Sequence, residues 1–133
     1  MFASPWTAPK WMKTNNDYIG YGFLKEEYYQ AWANYFVRFL DEYSKRNVSF
    51  WAVTAQNEPI DGTIPGFAFN CMGWTPAMQR DFIKNNLGPT IASSAYNTTK
   101  IIMFDDQRPF IVIWARTVRY LSLSLHKRHE FTQ

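Results

Sequence analysis

The strongest periodic signal in the chain lies over residues 26–46. Tyr28, Trp32, Phe36, Phe39, Leu40 and Tyr43 recur at intervals of three and four, with Gln30, Asn34, Arg38 and Asp41 on the intervening positions. That spacing gathers the apolar side chains on one stripe of a helix. Glu26 and Glu27 at the start and Lys45-Arg46 at the end complement the helix dipole. The aromatic stripe is expected to pack into the core rather than to serve as a binding surface.

The period then changes. Val48 to Thr54 is short, β-branched and aromatic, the pattern of a buried strand, and Lys100 to Phe104 repeats it. Between them, Thr75-Pro76 joins an N-cap residue to a proline suited to the first helical position. This predicts a helix through Met78, Phe82 and Ile83 to about Leu87, with Gly88-Pro89 stopping or bending it. Pro109 and the apolar run to Ala115 predict one more helix. Residues 1–25 hold Pro5, Pro9, Gly20, Gly22 and an Asn15-Asn16-Asp17 cluster, and read as irregular. Residues 56–74 read as a long loop, a length often associated with function.

Helix, strand, long loop, helix, strand, polar loop, helix is the alternation of a parallel α/β sheet with right-handed crossovers. Both predicted strands run into acidic residues, Glu58 after the first and Asp105-Asp106 after the second, on the same rim of such a sheet. In an α/β barrel that rim carries the chemistry, and a whole barrel takes roughly 250 residues. The expected fold class is therefore α/β, a partial TIM (β/α)8 barrel of two to three central βα units.

Composition adds one further signal. Six Trp, eight Tyr and eleven Phe make the chain 19% aromatic, which suits either a large core or a site where flat rings stack on sugars. The net charge of +3 resides in the last eighteen residues, where Arg116, Arg119, Lys127 and Arg128 face only Glu130. The remainder is neutral and carries no basic–aromatic motif, so no nucleic-acid partner is expected. The lone Cys71 cannot close an internal disulfide. The start shows no basic and apolar leader pattern, and no signal peptide is expected there. Asn47-Val-Ser49 and Asn97-Thr-Thr99 are acceptor patterns for N-glycosylation, relevant only along the secretory route.

The chemistry centres on Thr54-Ala-Gln-Asn-Glu-Pro59. Glu58 at a strand end is a candidate acid or base. Pro59 is expected to keep it extended, and the Asn57 amide can reach a sugar hydroxyl or orient the carboxylate. Asp105 and Asp106 are expected to be structural or orienting groups, paired with Arg108. His126 and His129, three apart, lack acidic or thiol companions and are not expected to bind metal.

Ser4-Pro-Trp-Thr-Ala-Pro-Lys-Trp-Met-Lys-Thr-Asn15, Phe50 to Pro59, Gln79-Arg-Asp-Phe82, Leu87-Gly-Pro-Thr90 and Asp105-Asp-Gln-Arg108 together resemble the glucosylceramidases of glycoside hydrolase family 30. The resemblance runs over residues 1–118, implying a fragment of the TIM-barrel domain without the family's β-sandwich domain. Residues 119–133 diverge as a basic tail. It implies a retaining β-glucosidase acting on glucosylceramide or another β-glucoside. Glu58 would be the general acid/base, with Trp6, Asn57, Phe69 and Gln107 binding substrate. Phe67 falls where relatives carry Tyr. The resemblance implies no cofactor or metal, a lysosomal or secretory location, and a saposin-type activator and an anionic lipid surface as partners. The family's nucleophile, a Glu on a later strand, is not found in this chain, so the fragment alone is expected to be inactive. The alternatives are a non-catalytic fragment that binds glycolipid or protein, or a truncated gene product.

Overall fold

The computed structural model describes residues 1–117. Three parallel strands form one sheet in the order β1 (Phe2–Ala3), β2 (Ala52–Thr54) and β3 (Lys100–Ile102). Ala52 lies opposite both Phe2 and Lys100, and Val53 opposite Ala3 and Ile101. All three residues of β2 are buried, as befits a central parallel strand covered on both faces. The sequential strand order and the intervening helices are those of consecutive barrel units.

Two strand expectations are corrected. Phe2–Ala3 pairs as an edge strand inside the segment read as irregular, because two residues are too few to display a period. The strand expected from Val48 begins only at Ala52. Asn47 sits at φ +59 and the Val48 N–H turns back to the Tyr43 carbonyl (3.1 Å), so the chain is still leaving the preceding helix.

That helix, α1, spans Tyr29–Ser44 after a 3-10 turn at Glu26–Tyr28. Trp32, Ala33, Phe36 and Leu40 are buried along it, while Tyr43 at its end stays exposed. The stripe does pack into the core: Phe36 meets Phe82, which lies 5.0 Å from the buried Trp74 ring.

Helix α2 (Pro76–Phe82) starts as expected, with Thr75 Oγ1 accepting the Met78 N–H (3.2 Å). Gly88-Pro89 does not stop it. A π turn at Ile83–Leu87, closed by the Gly88 N–H on the Ile83 carbonyl, carries the axis into α3 (Gly88–Ala92). Proline lacks the N–H that a regular turn would need here, and the wide turn removes the conflict. Residues 111–117 are helical. Trp114 on that segment is buried, packs against Phe104 (5.1 Å) and donates its indole N–H to Gln79 Oε1 (2.7 Å). His126, His129 and the basic tail lie outside the described residues.

Candidate active site

β2 leads directly into the site. The Ala55 N–H donates to the Ile102 carbonyl (3.0 Å), extending the ladder beyond Thr54, and the Asn57 N–H reaches the Pro5 carbonyl (3.0 Å). The chains following all three strands are thus tied together at one end of the sheet. Ser4 Oγ donates to Asp105 Oδ2 (2.6 Å) and shares a hydrogen bond with Thr54 Oγ1, linking β1, β2 and the loop after β3. The buried Gln56 amide donates to the carbonyls of Trp6 (2.8 Å) and Asn57 (2.9 Å), bracing the Trp6 backbone against the turn.

Glu58 stands at the end of this path. Its backbone adopts φ +37, in the left-handed region, not the extended conformation expected from the following proline. Two hydrogen bonds impose that geometry: the Glu58 N–H donates to the Asp105 carbonyl (2.7 Å), and its own carbonyl accepts the Asp61 N–H (3.0 Å). Left-handed backbone is costly for a residue with a side chain and clusters at functional positions. Gln107 Nε2 donates to Glu58 Oε1 (3.2 Å), so two of the expected site residues meet directly.

Trp6 and Phe69 also meet, edge to face at 5.1 Å, and both rings are about half exposed. Asn57 is half-buried beside Glu58. Trp6, Asn57, Glu58 and Gln107 thus all follow the C-terminal ends of strands, with Phe69 in contact with Trp6.

Asp105 and Asp106 are orienting groups, but Arg108 is not their partner. Asp105 accepts from Ser4, while Asp106 accepts the N–H groups of Ile60 (3.2 Å) and Gln107 (2.6 Å). The Ser4 hydroxyl at Asp105 and two backbone N–H groups at Asp106 satisfy these carboxylates without a guanidinium.

The loop bearing Phe67 and Phe69 is fastened to the segment after Met12. Gly20 N–H donates to the Phe67 carbonyl (2.9 Å), and the fully buried Lys13 ammonium donates to the Cys71 carbonyl (2.7 Å). Burial pulls the Lys13 pKa below its ordinary value and pushes the Cys71 thiol up. Gly22, Gly62 and Gly73 join the three crossing loops: Gly22 donates to Gly62 (2.9 Å) and Gly73 to Gly22 (2.7 Å). A Cβ on Gly62 would lie 1.9 Å from the Gly73 nitrogen, so only glycine permits this approach.

Asp61 is the residue that the sequence reading overlooked. It opens a 3-10 turn at Asp61–Thr63, and its N–H donates to the Glu58 carbonyl (3.0 Å). Burial, then the charge and hydrogen bond of Glu58, then the charge of Asp106, push the Asp61 pKa up to about 6. The only hint in the sequence is an acid three residues beyond Glu58, ahead of a turn-forming glycine. Gln56 carried no hint beyond its place beside Asn57.

Set beside known proteins, residues 1–122 match the glycosyl hydrolase family 30 TIM-barrel domain. The lysosomal acid glucosylceramidase of Mus musculus is 51% identical over 122 residues, covering 89% of this chain and 24% of that protein. Putative glucosylceramidase 1 of Caenorhabditis elegans is 43% identical over 123 residues, covering 89% and 24%. Among solved structures, SrfJ from Salmonella typhimurium superposes with a TM-score of 0.79 at 30% identity, over 86% of this chain and 25% of that one. The chain therefore spans about a quarter of the length of these relatives.

Proposed function

Since the chain belongs to glycosyl hydrolase family 30, we propose that it carries the acid/base half of a retaining β-glucosidase site acting on glucosylceramide. In this reading Glu58 protonates the glycosidic oxygen as the bond breaks, then takes a proton from the water that releases the sugar. Gln107 orients one Glu58 oxygen, Asn57 bonds a sugar hydroxyl, and Trp6 and Phe69 offer ring faces and edges to the glucose. One observation carries the reading: a carboxyl set at the end of a central parallel strand in a strained backbone turn, bonded by Gln107.

A retaining mechanism also needs a nucleophilic carboxylate roughly 5–5.5 Å from the acid, with the sugar carbon between them. Asp61 lies on the same tight turn as Glu58, its N–H on the Glu58 carbonyl (3.0 Å), rather than on another strand across the site. Asp106 is held by the Ile60 and Gln107 backbone. The nucleophile in this reading comes from a later strand of the family barrel, and the 133-residue chain alone does not turn over substrate. A lysosomal location follows from the same reading, as does work at an anionic lipid surface with a saposin-type activator. The exposed Tyr18, Ile19, Tyr21, Ile64 and Phe69 suit such a surface.

The test is hydrolysis of a fluorogenic β-glucoside alongside binding of glucosylceramide in mixed micelles. The chain should bind without turnover, and Trp6→Ala should weaken binding. In a longer protein containing this chain, Glu58→Gln should abolish hydrolysis. Turnover that survives Glu58→Gln there would remove Glu58 from its role. Binding by the chain with Glu58 dispensable in the longer protein would favour a non-catalytic glycolipid-binding role, which the exposed Trp6–Phe69 pair also suits.

A further inference from the structure

Three hydrogen bonds join the loop after β3 to the turn that bears Glu58. The Glu58 N–H donates to the Asp105 carbonyl (2.7 Å), the Ile60 N–H to Asp106 Oδ2 (3.2 Å), and Gln107 Nε2 to Glu58 Oε1 (3.2 Å). Only the last of these reaches the Glu58 carboxyl, and it has the least support of its own. Gln107 is exposed, and its long side chain must give up rotamer freedom to hold a single bond for which water competes. The direction of its amide therefore depends on how firmly the two backbones beneath it are fixed.

Asp106 fixes one to the other. Its Oδ1 accepts the Gln107 N–H (2.6 Å) while its Oδ2 accepts the Ile60 N–H, so one half-buried carboxylate spans both loops. Gln107 is held from its other side as well. It precedes the 3-10 turn Arg108–Phe110 at φ −61 and ψ 135, and its carbonyl accepts the Phe110 N–H (3.0 Å). Across the bridge, the carbonyl of the buried Pro59 accepts the N–H of the buried Trp74 (3.0 Å). The Glu58 turn is thus anchored in the core, and Asp106 carries that anchor to Gln107.

We propose that Asp106 is a positioning residue for Glu58: by bridging Ile60 and Gln107 it holds the Gln107 amide on Glu58 Oε1 and so sets the direction in which the Glu58 carboxyl points. The proposal deepens the acid/base reading of Glu58 and rests on it. Because the Gln107 N–H2 group can only donate, Oε1 stays an acceptor and the acid proton falls to Oε2. When that proton passes to the departing oxygen, the electron pair of the breaking carbon–oxygen bond goes to the same oxygen. Asp106 is unchanged throughout.

The experiment reads the Gln107 side-chain amide by nitrogen–proton NMR in the 133-residue chain. Glu58→Ala removes the acceptor and should shift the Nε2 protons. Asp106→Asn keeps the shape, but its N–H2 group meets one of the two N–H donors, so one side of the bridge opens in either orientation. In that background Glu58→Ala should move the Gln107 resonances little or not at all. Ile60→Pro repeats the test with the carboxylate intact: Ile60 sits at φ −75, which proline accepts, and the N–H that Asp106 binds is gone. It should uncouple Gln107 from Glu58 in the same way, and it decides the matter if Asp106→Asn does not fold. Tyr96→Phe removes a hydrogen bond to Asp41 at the far end of the sheet and should leave the whole Glu58→Ala response. A whole response in Asp106→Asn or Ile60→Pro overturns the proposal. So does no response in the native chain, or an equal loss in Tyr96→Phe, since the contact would then follow overall stability. Because no turnover is measured, the bridge can be refuted while the acid/base reading stands. That reading depends separately on the hydrolysis lost in Glu58→Gln.

Discussion

Replacing Gly62 by alanine tests the loop crossing beneath the site. The new Cβ would sit 1.9 Å from the Gly73 nitrogen and 2.4 Å from the Met72 carbonyl carbon, both backbone atoms with no rotamer to escape into. The loops must therefore separate by about 1 Å or more. That movement breaks the Gly22-to-Gly62 and Gly73-to-Gly22 hydrogen bonds, each contributing about 1 kcal/mol net. Forcing a methyl into packed surroundings costs about 1–3 kcal/mol more. The expected loss is about 3–5 kcal/mol, which for a domain of this size lowers Tm by about 10–20 °C.

Thermal unfolding followed by near-ultraviolet circular dichroism reports it through the buried Trp32, Trp74 and Trp114. Gly66→Ala is the control. Gly66 has φ +75 and no atom within 4 Å of the place a Cβ would take, so alanine there meets strain without crowding. Its cost should be about 1 kcal/mol. A Gly62→Ala protein that unfolds with or above Gly66→Ala would refute the idea that the loops are fixed by close backbone approach.

Two other outcomes are expected. A carboxyl whose folded pKa is raised, here to about 6 from an ordinary 3.8, has its full stability below the lower value and loses it as pH rises through the upper one. Asp61→Asn should therefore stabilise the chain by about 1–2 kcal/mol at pH 7.5, allowing for screening by water, and by nothing at pH 3.5, as measured by urea unfolding; equal effects at both values would contradict the assignment. Asn47 and Asn97 are both exposed and lie just ahead of β2 and β3, at the opposite end of the sheet from Glu58. If the chain travels the proposed secretory route, both should carry glycan without impeding ligand binding, checked by peptide mass spectrometry after enzymatic deglycosylation in heavy-oxygen water.

Sequence patterns reached the elements whose signals are local. The stripe from Tyr28 to Leu40 predicted α1 and its buried face, Thr75-Pro76 marked the start of α2, and the strand before Glu58 put that residue at a sheet rim. What escaped depends on partners distant in the chain. Phe2–Ala3 becomes a strand only because β2 lies beside it. Glu58 takes its left-handed backbone because Asp105, on another loop, accepts its N–H. Asp61 joins the site only once the turn folds back on Glu58, and the Asp106 carboxylate that holds this turn lies 46 residues away from Ile60. Arg108 is matched to the neighbouring acids by charge alone, whereas the distant Ser4 hydroxyl satisfies Asp105 and backbone N–H groups satisfy Asp106.

The π turn between α2 and α3 has a consequence for which changes in length the chain can tolerate. Phe82 and Leu87 are both fully buried although five positions apart, and Ile91 follows four later. On a regular helix five positions amount to about 500°, which would turn Leu87 some 140° away from Phe82. The wide turn absorbs most of that rotation and keeps all three on the core side. Deleting one residue from 83–86 would restore ordinary hydrogen bonding and leave Phe82 and Leu87 four positions apart, about 400° on a regular helix, so Leu87 and Ile91 would still face the core. Inserting one residue there would instead turn everything beyond it by about 100° and pull Thr90 from Gln30, to which it now bonds across to α1 (2.9 Å). The wide turn therefore accommodates one residue that the helix can lose but not double, and relatives that keep this core are expected to carry either this length or one residue fewer.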